Sequence, residues 1–154
     1  MPKACDSTIE KVTNFHLSSV LERYARDQDL DLEQAKEHER ELKRYFALVI
    51  DNPGTTYGMC GPIDELWHTF LMFTLLYQQF RETTAGRFIH HFPNDHSGDR
   101  TGTDERQNNY ARFVLDYVST FGEEPPRHLW PAAMETSDGM VAGCSTCRCC
   151  VAGS

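Results

Sequence analysis

The sequence predicts an all-α fold: a compact four-helix domain around a buried central helix, followed by a flexible cysteine-containing tail. Three observations carry this expectation. The stretch Gly61 to Phe80 places Ile63, Leu66, Trp67, Phe70, Phe73, Tyr77 and Phe80 on one broad arc at about 100° per residue, a core-facing helix stripe. Three further segments repeat helical spacing, two of them with start and stop signals at their ends. From Ser137 onward the composition turns to Gly, Ala, Ser and Cys, which cannot bury enough surface to fold alone. With 154 residues and 40% hydrophobic content, the chain suits one core-bearing domain. The expected boundaries are a loosely ordered N-terminus over 1–14, a helical domain over 15–136 and a tail over 137–154.

Taken in order, Met1 to Asn14 is polar, with Asp6 or Ser7 able to cap a short turn. Leu17, Val20, Leu21 and Tyr24 recur at helical spacing and predict a first helix. Asp31 with Gln34 three residues later reads as a capping-box variant opening a second helix, whose apolar positions run through Ala35, Leu42, Tyr45, Phe46 and Val49 to Asp51. Within it, Glu37-His38-Glu39-Arg40-Glu41 reads as a solvated face laced by charge pairs three and four apart. Asn52 to Gly61, with Pro53, Gly54, Gly58 and Cys60, is expected to be a loop. Its Cys60 is a small buried apolar group in the plainest reading. Pro62 then suits the first position of the central helix, where its missing N–H would have had no partner. Arg81 to Thr103 is an irregular connection, of the kind that in compact domains is often functional. The last helix is expected to start at Thr101 or Thr103, turn Tyr110, Phe113, Val114 and Tyr117 inward and stop at Gly122. Pro125, Pro126 and Pro131 break periodicity, while Trp130 docks onto the domain.

A formal charge of −8 argues against a general nucleic-acid binder, which needs a basic face for phosphate. No run approaches the roughly 18 consecutive apolar residues of a membrane helix, and the N-terminus lacks a signal-peptide core. The expectation is a cytoplasmic protein without nucleic-acid or membrane partners.

Chemistry concentrates on the polar side of the central helix. Asp64, Glu65 and His68 are neighbours there, followed on the next turn by Met72, Leu75 and Leu76, so other chain is expected to cover the cluster. First-row metals such as Zn²⁺ or Fe²⁺ accept imidazole nitrogen and carboxylate oxygen, and Asp64 with His68 offers both one turn apart. His90 and His91 are the candidates to complete the set. In extended backbone they point opposite ways, so one of them reaches a common ion and the other serves as a supporting group. The purely structural reading is that first-turn acids favour any helix N-terminus and that a histidine pairs with Asp64 inside the core.

Asp64-Glu65-Leu66-Trp67-His68 after Gly61-Pro62, then Tyr77-x-x-Phe80 and Gly86-Arg87-Phe88-Ile89-His90-His91-x-Pro93, resembles the bacterial members of the glycine-rich domain-containing protein-like family. The specific resemblance runs from about Pro53 to Pro93 and implies a helical domain followed by a glycine-rich, often cysteine-containing tail. This chain departs from the pattern at Arg81, where such sequences often have Cys, and its tail is shorter and poorer in glycine. Roles tied to those features do not transfer.

The tail holds four of the six cysteines, as Cys144-x-x-Cys147-x-Cys149-Cys150. Thiolates so spaced suit Zn²⁺, Cu(I) or an iron–sulfur cluster, although four ligands in so short a segment fit a shared or polynuclear soft metal better than one closed tetrahedron. A thiol redox role, modification by a partner enzyme and a degenerate low-complexity end are the other readings of the tail. No nucleophile elbow, phosphate loop or zincin motif occurs. The leading expectation is a small helical metal-binding protein, with a site at Asp64, His68 and His90 or His91 and a tail that binds or hands over Zn²⁺ or Cu(I). An enzyme using the same domain site for metal-assisted hydrolysis or oxidation is the first alternative. A scaffold or precursor whose cysteine tail is docked or modified by a partner protein is the second.

Overall fold

The computed structural model describes residues 1–93, 100–131 and 150–153. Six helices lie among them: α1 (Asp6–Thr13), α2 (Ser18–Gln28), α3 (Leu32–Asp51), α4 (Pro62–Met72), α5 (Thr74–Thr84) and α6 (Arg100–Phe121). Three short strands, β1 (Tyr57–Met59), β2 (His90–Pro93) and β3 (Cys150–Gly153), form one sheet in the order β1-β3-β2. β3 is antiparallel to both neighbours, with Ala152 opposite Tyr57 on one side and His91 on the other.

Several expectations change. The N-terminus is not loose: Asp6–Thr13 is a helix that buries Thr8 and Val12, and the Thr8 hydroxyl and the Cys5 N–H both donate to the Asp51 carboxylate at 2.7 Å. Two buried side chains per two turns are too few for periodicity to register, which is why polarity alone suggested a loose end. The central helix is two helices, α4 and α5, because Phe73 leaves helical geometry (φ −88°, ψ 65°). No proline or glycine marks that break. The four-helix expectation therefore becomes six, and a loop segment supplies β1. The expected flexible tail of 137–154 lies outside the described residues, apart from the strand Cys150–Gly153.

Other elements form for the reasons expected. Asp31 caps α3 with a reciprocal box, its carboxylate accepting from the Gln34 N–H at 2.8 Å and the Gln34 side chain accepting from the Asp31 N–H at 3.0 Å. α6 ends at Gly122, which takes φ +73° and donates its N–H to Val118. α3 runs through the core: Tyr45 and Phe46 are fully buried, with Phe46 edge-on to Trp67 at 5.2 Å and Tyr45 against Phe113 at 5.2 Å. Trp130 closes this aromatic cluster at 4.6 Å from the Phe113 ring. Such contacts add to plain area burial by about 0.5–1.5 kcal/mol per pair.

The string Glu37 to Glu41 is only partly a solvated face. Glu41 is fully buried and accepts from the Tyr117 hydroxyl at 2.9 Å and the Trp130 indole N–H at 3.0 Å, with the Arg40 Nε at 3.2 Å. His38 is buried as well, against Tyr24. Helical spacing puts Glu41 and His38 on the α3 faces that turn toward α6 and α2, which charge composition does not reveal.

Candidate metal centre

The site is assembled by the start of α4 and by β2. Gly61 takes φ +89°, and a Cβ there would lie 2.6 Å from the Leu129 carbonyl oxygen, so the chain can enter α4 at this angle only through glycine. Pro62 opens the helix and Asp64 falls in its first turn. The Tyr24 hydroxyl donates to the Pro62 carbonyl at 3.1 Å and lies 2.8 Å from His38 Nδ1. Because that hydroxyl has one proton, both bonds form together when neutral His38 carries its proton on Nδ1 and donates to Tyr24. Burial pushes the Tyr24 phenol well above its ordinary range and, as the main cause, holds the His38 imidazole below its own, with Glu37 opposing and His128 adding to the lowering. α2 and α3 are thereby tied to the first residue of α4.

A second tie fixes β2. The Tyr77 hydroxyl, on α5, donates to the Ile89 carbonyl at 2.5 Å and accepts from the Trp67 indole N–H at 3.3 Å. Burial raises the Tyr77 phenol to about 12, so it stays a donor across the neutral range. His91 therefore starts from an anchored backbone one residue past His90. Its imidazole lies edge-on to the Trp67 ring at 4.4 Å.

Asp64, His68 and His91 converge. His91 Nε2 is 2.9 Å from Asp64 Oδ1, and His68 Nε2 is 3.6 Å from the same oxygen. One donor atom from each residue lies within 4.8 Å of the other two, and among the described residues this is the group of His, Cys, Asp or Glu side chains so placed. Asp64 is 2% exposed, the His91 side chain is buried, and the His68 side chain is 33% exposed. Ligand atoms about 2.0–2.1 Å from a zinc ion are about 3.3 Å apart at tetrahedral angles and about 2.9 Å apart at right angles. The Asp64–His91 separation matches the right-angle value and the Asp64–His68 separation exceeds the tetrahedral one by about 0.3 Å, while the two imidazole nitrogens lie within 4.8 Å of each other. The same geometry lets His91 donate directly to the buried Asp64 carboxylate without one.

His91, not His90, faces the central helix. His90 is exposed and packs on the Phe88 ring at 4.6 Å, as strand alternation requires. Glu65 is exposed, 3.8 Å from His68 Nδ1, and sits at the rim. Cys60 is buried beside the start of α4 and does not join the group. The expected cover is incomplete, since Met72 and Leu75 are 61% and 68% exposed and leave His68 open on one side. Cys144, Cys147 and Cys149 lie outside the described residues. Cys150 is the first residue of β3, paired with Met59 and Pro93. Sequence reasoning missed the supports Tyr24, His38 and Tyr77. Each was read as a helix or core residue, and only its hydroxyl or imidazole chemistry hinted at more.

Residues 8–114 match the UCP032817-like family. The chain belongs to this family. The resemblance to the glycine-rich domain-containing protein-like family is thereby overturned, and with it the implied glycine-rich tail. The motif that suggested it combines first-turn acids, a core Trp and a His one turn on. Helix capping and packing produce that combination in unrelated helices, so it discriminates poorly. Neither a curated protein nor a solved structure matches the chain. Membership in the UCP032817-like family leaves the chemistry to be read from the residues themselves. No helix among the described residues is long and apolar enough to cross a membrane.

Proposed function

We propose that this UCP032817-like protein binds a divalent first-row metal, Zn²⁺ or Fe²⁺, through Asp64, His68 and His91. The observation that carries the proposal is the convergence of one carboxylate and two imidazoles from two chain segments on a partly enclosed point. Two His and one carboxylate leave coordination positions open. The exposed flank of His68 is where a further ligand would enter. Asp64 supplies charge, His91 is oriented by its packing on Trp67, and the Tyr24 and Tyr77 hydroxyls hold the two backbone segments in register. The thiols Cys144, Cys147, Cys149 and Cys150 are proposed as a separate soft-metal element for Zn²⁺ or Cu(I), on their spacing alone.

The open flank of His68 also favours a second reading, in which the bound metal assists hydrolysis or oxidation of a ligand arriving from that side. Elemental analysis of protein purified without added metal tests the main proposal. Because β3 pairs with the strand bearing His91, the tail thiols are best removed by fourfold Cys→Ser substitution and not by truncation. About one equivalent retained in the fourfold serine variant and lost in His68→Ala supports the domain site. Metal lost with the thiols and kept in His68→Ala refutes it.

A further inference from the structure

A cavity of about 450 Å³ lies between α1, α3 and the end of α6, lined by none of the metal-centre residues. Its floor is apolar, made by Ile9, Ala47 and Phe121, and its volume falls in the range of about 300–1,000 Å³ typical of small-molecule sites. Lys36, Arg40 and Arg44 follow one another at i, i+4 and i+8 along α3 and form one cationic stripe at its wall. That is unexpected on a chain of net charge −8.

The local charges balance, but the hydrogen-bond donors of the stripe are not all used. Lys43, also in the wall, is saturated, since its ammonium donates to the Thr13 and Phe15 carbonyls and lies 2.7 Å from Glu39. Arg40 directs Nε to Glu41, and Arg44 directs Nη1 to Tyr117 and Glu123. Each guanidinium carries five N–H donors, so these bonds occupy only part of its capacity. Lys36 meets Glu33 at 3.3 Å, an exposed pair that water screens. The four cations thus face four carboxylates, Glu33, Glu39, Glu41 and Glu123, and what the wall offers an anion is the unused N–H capacity of Arg40 and Arg44 beside the exposed Lys36 ammonium.

We propose that this cavity is a second binding site, for an amphipathic monoanion: a carboxylate head on Lys36, Arg40 and Arg44, with an aliphatic body over Ile9, Ala47 and Phe121. The Arg44 guanidinium already stacks 4.8 Å from the Phe121 ring centroid, which places its remaining N–H groups at the boundary between charge and apolar floor. The head is an anion because the unused donors of the wall belong to cations, and the body is apolar because Ile9, Ala47 and Phe121 offer it no polar side chain.

Titration calorimetry of the full chain with sodium decanoate, below its micellar range, tests this, with decanol and acetate as controls. The expected result is saturable one-to-one binding of decanoate. It should weaken at least tenfold in the double variant Lys36→Gln/Arg40→Gln and in Thr13→Trp, which fills the mouth from an exposed position at the end of α1. Both variants should keep the wild-type helical circular dichroism and a cooperative melt, with Thr13→Trp at the wild-type melting temperature and Lys36→Gln/Arg40→Gln lowered by loss of the Arg40–Glu41 bond. Absence of binding overturns the proposal, as does equal affinity in both folded variants. Decanol binding as tightly as decanoate overturns the anionic specificity, and acetate binding as tightly overturns the apolar floor.

Discussion

His68→Ala separates a metal ligand from a structural residue more sharply than any other substitution. His68 is one-third exposed, with ion-pair separations of 3.6 Å to Asp64 and 3.8 Å to Glu65 and its ring 4.5 Å from the His91 ring. Exposed ion pairs contribute about 0–1 kcal/mol each, so losing these two without metal should move stability by less than about 2 kcal/mol. A ligand present at 100 times its Kd stabilises the native state by about 2.7 kcal/mol. For a chain of 154 residues, at about 2–4 °C per kcal/mol, that is a rise in melting temperature of about 5–10 °C. If removing one ligand weakens the ion about 100-fold, the same zinc concentration gives about 0.4 kcal/mol, or roughly 1–2 °C. Scanning calorimetry with and without zinc, in the fourfold Cys→Ser background so that tail thiols do not contribute, measures both numbers. An equal zinc-induced rise in the variant and its parent would refute the assignment. So would a large drop in stability of the metal-free variant, which would mean that His68 holds the fold.

Three further outcomes follow from the supports. Gly61→Ala forces a Cβ to within 2.6 Å of the Leu129 carbonyl oxygen at φ +89°, so it should lower stability by about 2–5 kcal/mol in denaturant titration. Glu41→Ala leaves the buried Tyr117 and Trp130 donors without their acceptor and should lower stability by about 3–5 kcal/mol, whereas Glu41→Gln keeps an acceptor oxygen and should lower it by less. The fold holds His38 below its ordinary value, so below about pH 6.5 the unfolded chain binds a proton that the folded chain resists. Stability from this group is complete above that pH and declines as pH falls toward the lowered folded value. The wild type should accordingly lose stability on acidification more steeply than His38→Gln, by up to about 1.4 kcal/mol per pH unit, and parallel melting curves would contradict the buried neutral imidazole.

Helices with wide apolar stripes were legible from spacing, as Tyr45, Phe46, Trp67, Phe70 and Phe80 show, because burial imposes the 3.6-residue period directly on the sequence. Caps were legible too, at Asp31, Pro62 and Gly122, since each needs a particular residue type. The break at Phe73 was not, for its cause is tertiary: the second half-helix turns to seat Tyr77 on the Ile89 carbonyl. β1 was hidden because its glycine reads as a loop residue. Gly58 is there because β1 approaches the α6 backbone so closely that a Cβ would meet the Tyr110 nitrogen at 2.8 Å. At the proposed metal centre, helix geometry brought Asp64 and His68 together on paper, and strand alternation limited the third partner to one of two histidines. Which one faces inward depends on how Tyr77 and Trp67 anchor β2, and that is a long-range relation with no local signature.

The most direct test of the metal assignment is X-ray absorption at the zinc edge of the fourfold Cys→Ser protein loaded with one equivalent of zinc. A first shell of nitrogen and oxygen at about 2.0–2.1 Å, with the scattering pattern of two imidazoles that falls to one in His91→Ala, is the predicted result. A spectrum without imidazole scattering, or one unchanged in His91→Ala, would contradict a centre built on Asp64, His68 and His91.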